Sequence, residues 1–466
     1  MSNMTPILIE EHVPIKSRLA ISLSDSAVAI LQTVVSGGAL TYYFTRVRGL
    51  EADLAGIVWL LFGIWNAIND PLFGFISDRT KSGLGRRKPY IRYGAPLIAL
   101  AFGLLWANLG NSQTIMFVQL LIGLFLYDTL YTAIATSIYV LPFEVAVSNK
   151  ARSTILIWKI IFMVFPNVLP FAIAYFQPGP ADDPTPYRLI MAGLAILMGV
   201  IIYFSTYFYE EKHFQQQEQQ LPFLKSIKES FSNFAFVIFL VLSFSVMYIQ
   251  TALLQGVAYY FDEIMATPLP VIVGLAAGIP AGIVLWLNRR DRWGIKRCLV
   301  TWLGLFAAGC GTLFIFGKTI PGAIVGFFLV GIGFAGGMYL IPIMNGDVID
   351  YDEERTGLRR EGMYAGINSL VTKPAISLAQ WAFLSIIAYN GYDQTLAKGL
   401  QSAQAETGIL IAWALIPAGL LILSLIATRW YPLAGEKWET IKKKLTAVHA
   451  EKETQFLESL GYSHSK

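Results

Sequence analysis

"NAINDPLFGFISDRTKSGLGRRKPYIRYG", residues 66–94, begins inside an apolar run and ends in a cluster of positive charge. Asp70 sits in the apolar part. Arg79, Lys81, Arg86, Arg87 and Lys88 all follow within twenty positions. An ionised carboxylate at the centre of a membrane helix costs about 2.5–3.5 kcal/mol on insertion scales, so one found there is a functional candidate. A burst of Lys/Arg marks the cytoplasmic end of a span. The stretch therefore reads as a transmembrane helix that carries a working acid and stops at a basic turn.

The rest of the chain supports this reading. It has 466 residues, 55% hydrophobic and 14% charged, whereas a soluble chain carries about 25% charged residues. Apolar blocks such as 114–143, 231–260 and 321–344 exceed the roughly 20 residues needed to cross hydrocarbon. Twelve spans are expected, at 19–45, 52–77, 91–110, 114–143, 153–177, 187–209, 231–260, 268–288, 298–317, 321–344, 361–390 and 407–430. The fold class is all-α and polytopic. Cys298 and Cys310 share one apolar segment and read as small apolar filler. The four histidines fall in tails or a loop, which leaves no intramembrane histidine relay and no HExxH site. The net charge of +4 is spread among loops and reports topology, not nucleic-acid binding. Residues 1–18 are mixed and polar, unlike a cleaved signal peptide.

Loop charge sets the expected orientation. With loop 78–90 placed inside, inside loops hold eighteen Lys/Arg and outside connections five, which puts both termini in the cytoplasm. The Gln-rich stretch 212–230 reads as a linker between an N-terminal bundle (1–211) and a C-terminal bundle (231–430), with a cytoplasmic tail at 431–466. The halves echo each other: "GFISDRTKSGLGRRK" follows span 2 and "WLNRRDRWGIKR" (286–297) follows span 8. Duplicated six-helix halves around a midplane site are transporter architecture. The tail reads as an amphipathic helix lying on the gate or the membrane surface, or as a disordered segment.

Five ionisable residues fall inside spans: Asp25, Asp70, Asp128, Lys159 and Lys373. Asn66 and Asp70 are four apart and share a helix face; Asn69 points about 100° away, toward a neighbouring contact. Each has a plainer alternative. Asp70 precedes Pro71 and marks a kink, Asp25 in "SLSDSA" caps a helix start, Asp128 makes a polar interhelix contact, Lys373 forms a structural ion pair, and Lys159 snorkels to an interface. Tyr139, Trp158, Tyr364 and Trp381 stand on spans that would line a cavity, and Tyr139 and Tyr364 are taken as substrate-facing. At the basic ends, Asp78 with Arg79, Glu144 with Arg152, and Asp347/Asp350 with Arg359/Arg360 can pair across helix ends. With Arg86 and Arg87 they form a candidate cytoplasmic gate, or else a solvated anchor worth little per pair.

The pattern Gly74, Asp78, Arg79, Gly85, Arg86, Arg87, Lys88 resembles the loop 2–3 signature of the major facilitator superfamily. The longer string "NDPLFGFISDRT…GRRKPY", with "LPFEVAVSNKARSTILIWK" (141–159), "GDVIDYDEERTGLRREGMYAGINSLVTK" (346–373) and "RWYPL" (429–433), resembles the glycoside–pentoside–hexuronide:cation symporter family. The resemblance implies twelve helices in two bundles, alternating access, a sugar or glycoside substrate and a coupling ion, H+ or Na+, without a cofactor. It implies sugar-binding roles for Asp25 and Lys373, with Lys159 where many relatives have arginine. It places the helix-2 cation ligands on Asn66 and Asp70. The family's helix-4 acid falls near Ala135, where no acid stands. Asp128, about two turns away, is too distant to take that place directly. The lost acid favours the proton over sodium. The rivals are a lysolipid transporter of the same fold and an uncoupled sugar facilitator. A membrane enzyme is disfavoured, because no nucleophile–base or metal-ligand set appears. The expected partners are a small-molecule substrate and membrane lipid in the plasma (inner) membrane, with no oligomer required.

Overall fold

The computed structural model describes residues 12–78, 82–146, 149–179, 182–211, 230–265, 267–357 and 361–459. Among the described residues the chain makes twelve helical passes. In the first half they are α1 (Ile15–Ser36, continued by Ala39–Tyr42 and a wide turn at Tyr43–Val47), α2 (Ala52–Asp78), α3 (Lys88–Trp106), α4 (Gln113–Val145), α5 (Asn149–Phe162 and Val164–Tyr175) and α6 (Thr185–Ser205). In the second half they are α7 (Phe234–Met265), α8 (Leu269–Arg290), α9 (Arg292–Phe316), α10 (Ile320–Thr356), α11 (Glu361–Tyr389) and α12 (Ala403–Trp430). A thirteenth helix, α13 (Glu436–Ser459), follows in the tail.

Ten of the passes are long and apolar enough to cross a membrane on length and composition. The other two are α3, whose start holds Lys88, Pro89 and Arg92, and α5, broken at Met163 into two short pieces. The chain is an integral membrane protein. A helical pass is present at each expected span, with most ends shifted by a few residues and α10 running on to Thr356 instead of ending near 344. The linker 212–229 lies outside the described residues.

Local chemistry fixes the ends. The side chains of Ser112, Asn233, Thr319 and Ser402 each accept a hydrogen bond from a backbone N–H three residues on, satisfying amides that a helix start leaves unpaired. The basic turn after α8 bends at Gly294, whose φ of 73° lies in the left-handed region. Small residues let helices approach in a bilayer, where lipid gives no hydrophobic drive. A Cβ on Gly278 would lie 2.2 Å from the Phe328 carbonyl oxygen, so α8 and α10 pack nearly backbone to backbone.

Helices pack within each half, α1–α6 and α7–α12, and the halves meet along α2–α11 and α1/α5–α7. All connections alternate between two ends. The end carrying loop 78–90 is called the basic end here, and the opposite one the far end.

Candidate functional site

Asp25, Asp70, Lys159 and Lys373 lie at a common depth, each roughly ten residues, or about 15 Å, from the basic end of its helix. Asp25 and Lys159 meet: Nζ lies 3.3 Å from Oδ2, with side chains 22% and 13% accessible. Because α1 starts at Ile15, Asp25 sits well inside the helix, and the helix-start alternative falls away. Lys159 points to Asp25 and not to an interface. The break in α5 helps hold the pair. Interrupting a helix frees carbonyls, and the Ser26 hydroxyl donates to that of Phe162 at 2.9 Å. Asp25 thus sits beside a fixed α1–α5 joint.

On α2, Asn69 makes the contact to α4. Its Nδ2 donates to Asp128 Oδ2 at 3.0 Å, to the Asp128 carbonyl at 3.2 Å and to Thr132 Oγ1 at 3.2 Å. Asn69 and Asp128 are both buried. Asp128 makes the polar interhelix contact that is one of its two expected roles. It approaches α2 through Asn69, one residue before Asp70, because the two helices lie side by side. Asn66 is buried too, and its Oδ1 has no hydrogen-bond partner among the described residues. The backbone of Asp70 is on α2; its side chain lies outside the described residues.

Lys373 is half-buried on α11. Tyr139 on α4 is 63% exposed. Tyr364 does not line a cavity: its ring is fully buried, edge-on to Phe236 with centroids 4.4 Å apart, and its hydroxyl accepts from Asn233 Nδ2 at 3.2 Å. It braces the start of α7. Trp158 stacks on Phe162, and Trp381 lies against Gly56 of α2. A cavity of about 500 Å³ lies between α3 and α6. It is lined by apolar groups such as Pro96, Leu100, Ala195 and Gly199, and none of the ionisable residues above lines it.

At the basic end only part of the expected gate lies within the described residues. Arg79, Arg359 and Arg360 lie outside the described residues, as do the side chains of Asp78 and Glu144. Asp347 pairs with Lys442 of α13. Trp438 of the same helix is buried, edge-on to Tyr351. The tail is therefore a helix docked on the end of α10. Asp350 follows Asp347 by about one turn. Arg152 Nε donates to the Ala146 carbonyl at 3.0 Å, closing the α4–α5 turn. At Arg86 and Arg87 the backbone makes one contact with the end of α6. Glu211, just past α6, accepts from the amides of Arg86 at 2.6 Å, Arg87 at 3.0 Å and Lys88 at 2.5 Å. A carboxylate suits a helix N-terminus, where unpaired N–H groups and the helix dipole converge.

The far end carries a cluster that the sequence argument missed. Arg46, in the wide turn ending α1, places NH2 2.7 Å from Glu263 Oε1 at the end of α7, and neither side chain is accessible. Arg46 NH1 also donates to the carbonyls of Gln394 at 2.9 Å and Asp393 at 3.3 Å. Glu263 Oε2 accepts from the Gly399 amide at 3.0 Å. Lys398 lies 3.0 Å from Asp262, which also accepts from the Tyr42 hydroxyl. Thr45 and Tyr259 hydroxyls are 2.8 Å apart. The Arg46, Tyr42 and Thr45 contacts join the first half to the second and seal the far end, while the Glu263–Gly399 and Lys398–Asp262 contacts brace the second half's side of that seal. The available signal was two adjacent acids, Asp262 and Glu263, closing an apolar run, with Arg46 otherwise read as a topology marker.

Known proteins fit this arrangement. A family model described as MFS/sugar transport protein matches residues 20–435. An isoprimeverose transporter of Lactiplantibacillus pentosus is 26% identical, covering 96% of this chain and 94% of that protein. A glucuronide carrier protein homolog of Escherichia coli is 24% identical over 86% and 89%. A sodium-dependent lysophosphatidylcholine symporter of Gallus gallus is 20% identical over 89% and 86%. Among solved structures, a D-xylose-proton symporter superposes with a TM-score of 0.65 at 16% identity, covering 89% of this chain and 97% of its own; that likeness speaks for the fold. The chain belongs to the MFS/sugar transport protein family, in its glycoside–pentoside–hexuronide group, and is a transporter, not an enzyme.

Proposed function

We propose that the protein is a cation-coupled symporter of a sugar or glycoside, working by alternating access in the cytoplasmic (inner) membrane with its basic end in the cytoplasm. The observation that carries this is the Asp25–Lys159 pair, deep in two membrane helices yet still partly accessible. An ion pair with open hydrogen-bonding positions suits the hydroxyl groups of a sugar, which both donate and accept. The relatives named for isoprimeverose and glucuronide support a glycosidic substrate.

Coupling is assigned to Asp70, with Asn66 and Asp128 beside it. The unpartnered Asn66 Oδ1 lies one turn from Asp70 on the same face, and Asn69 ties Asp128 to this region. The coupling ion is the proton. A sodium ion needs several oxygen ligands, and Ala135 supplies none from its side chain. A single carboxylate alternating between an open and a closed cavity can bind and release a proton. The seal at Arg46–Glu263 is the far-side gate, shut in this structure.

Uptake into cells that express the protein, with labelled isoprimeverose, a β-glucuronide and lysophosphatidylcholine supplied singly, tests the substrate class. Saturable uptake of either glycoside is expected. Saturable lysophosphatidylcholine uptake without glycoside uptake would replace this reading with the amphiphile transporter.

A further inference from the structure

The break in α1 gathers amide side chains above the ionisable layer. Gly38 has φ of 94°, and a Cβ there would lie 2.3 Å from the Gln255 Cα. Here α1 of one half touches α7 of the other at backbone distance. Gln380 of α11 completes the junction. Its Nε2 donates to the Ser36 carbonyl at 2.5 Å, and its Oε1 accepts from the Thr41 hydroxyl at 3.1 Å. The Trp59 indole donates in turn to Thr41 Oγ1 at 2.8 Å.

Gln255 differs from these satisfied groups. Its side chain is 0% accessible, and neither its nitrogen nor its oxygen has a hydrogen-bond partner among the described residues. The Oε1 of Gln32, about two turns before the break, is likewise buried and unpartnered. A buried polar group left unpaired is costly, and an apolar chain of the same shape removes that cost. A glutamine kept at this point is explained by a partner it meets in another state. Its position fits such a partner. Gln255 lies about eight residues, or about 12 Å, inward from the seal at Glu263, and Gln380 about 10 Å beyond Lys373 along α11. By their positions along α1, α7 and α11, Gln32, Gln255 and Gln380 fall between the seal and the Asp25–Lys159 layer.

We propose that Gln255, with Gln32 and Gln380, forms a hydroxyl-reading subsite for one sugar ring of the transported glycoside, its far end meeting Asp25 and Lys159. A carboxamide offers donors and an acceptor, matching adjacent hydroxyl groups. The subsite spans both halves, so it opens when the far-end seal parts and α1 leaves α7. This inference rests on the glycoside reading above and assigns which residues read the sugar.

The test compares wild type, Gln255→Leu and Gln255→Asn. Initial uptake rates of isoprimeverose and methyl β-D-glucuronide are measured, together with melting temperatures of the ligand-free protein. Gln255→Leu is expected to raise KM about tenfold, equivalent to about 1.4 kcal/mol, with little change in Vmax and an unchanged or higher melting temperature. Gln255→Asn is expected to raise KM less. Unchanged KM in the folded variants, whether or not Vmax or melting temperature falls, overturns the proposal and leaves Gln255 a packing residue. If Gln255→Leu does not fold, Gln255→Asn decides by the same criterion. A wild-type protein that takes up neither sugar overturns the glycoside reading instead, and this inference with it.

Discussion

Arg46 and Glu263 are 217 positions apart in sequence and fully buried against each other. Removing one partner of a buried pair costs about 3–5 kcal/mol, because the other charge stays uncompensated. Here the cost falls on the far-end-closed state alone. Glu263→Gln is therefore expected to shift the population toward far-end opening by two orders of magnitude or more, at about 1.4 kcal/mol per factor of ten. A cysteine at Leu40, just inside the seal, reports this through labelling by a membrane-impermeant maleimide; the native Cys298 and Cys310 are both buried. Labelling unchanged by Glu263→Gln would contradict the gate. Asp25→Asn is expected to cut glycoside uptake ten- to hundredfold, since a hydrogen bond to a charged group is worth about 1.5–3 kcal/mol. Lys159→Arg should keep more uptake than Lys159→Ala. Asp25 and Lys159 stood out in the sequence because a charge in an apolar run has no cheap explanation. Arg46 did not, because a cation near a span end has one. Tyr364 was misjudged because helix rotation cannot be read from one sequence, and rotation decides whether an aromatic ring faces a cavity or the core.

At the scale of elements, ten of the twelve passes were legible from apolar length, while the breaks within spans were not. α1 stops at Ser36 and restarts at Ala39, and the Gly37–Gly38 doublet that permits this is unremarkable in a glycine-rich chain. α5 breaks at Met163, with Pro166 following. Such breaks depend on what the freed carbonyls meet, as Ser36 meets Gln380. Gly38→Ala places a side chain at a positive φ and against the Gln255 backbone. It is expected to lower the melting temperature by more than Gly49→Ala, where φ is 79° but no atom lies within 4 Å. An equal loss in both would remove the helix contact from the account. Glu211 makes a second case. Its three backbone partners at the start of α3 predict that Glu211→Ala destabilises the protein by about 0.5–2 kcal/mol, the usual worth of a helix cap. Thermal unfolding in detergent reads that change. The sequence placed positive charge in loop 78–90 correctly but left its partner unseen, since a carboxylate past α6 announces nothing until the loop folds onto it.

For the whole molecule, the two-bundle architecture was readable from span count, loop charge and the echo between the turns after spans 2 and 8. The conformational state was not, because it depends on which inter-bundle contacts are made. The far end is closed by Arg46–Glu263, Tyr42–Asp262 and the α1–α7 contact at Gly38. A transport cycle must break this seal and close the basic end in turn. The central claim is that a proton bound near Asp70 drives that exchange. The measurement that tests it most directly is isoprimeverose accumulation in sealed, right-side-out membrane vesicles bearing either an imposed inward proton gradient or an imposed inward sodium gradient, for wild type and Asp70→Asn. The account predicts accumulation with the proton gradient, none with sodium alone, and loss of accumulation in Asp70→Asn. Sodium-driven accumulation with no response to the proton gradient would contradict it.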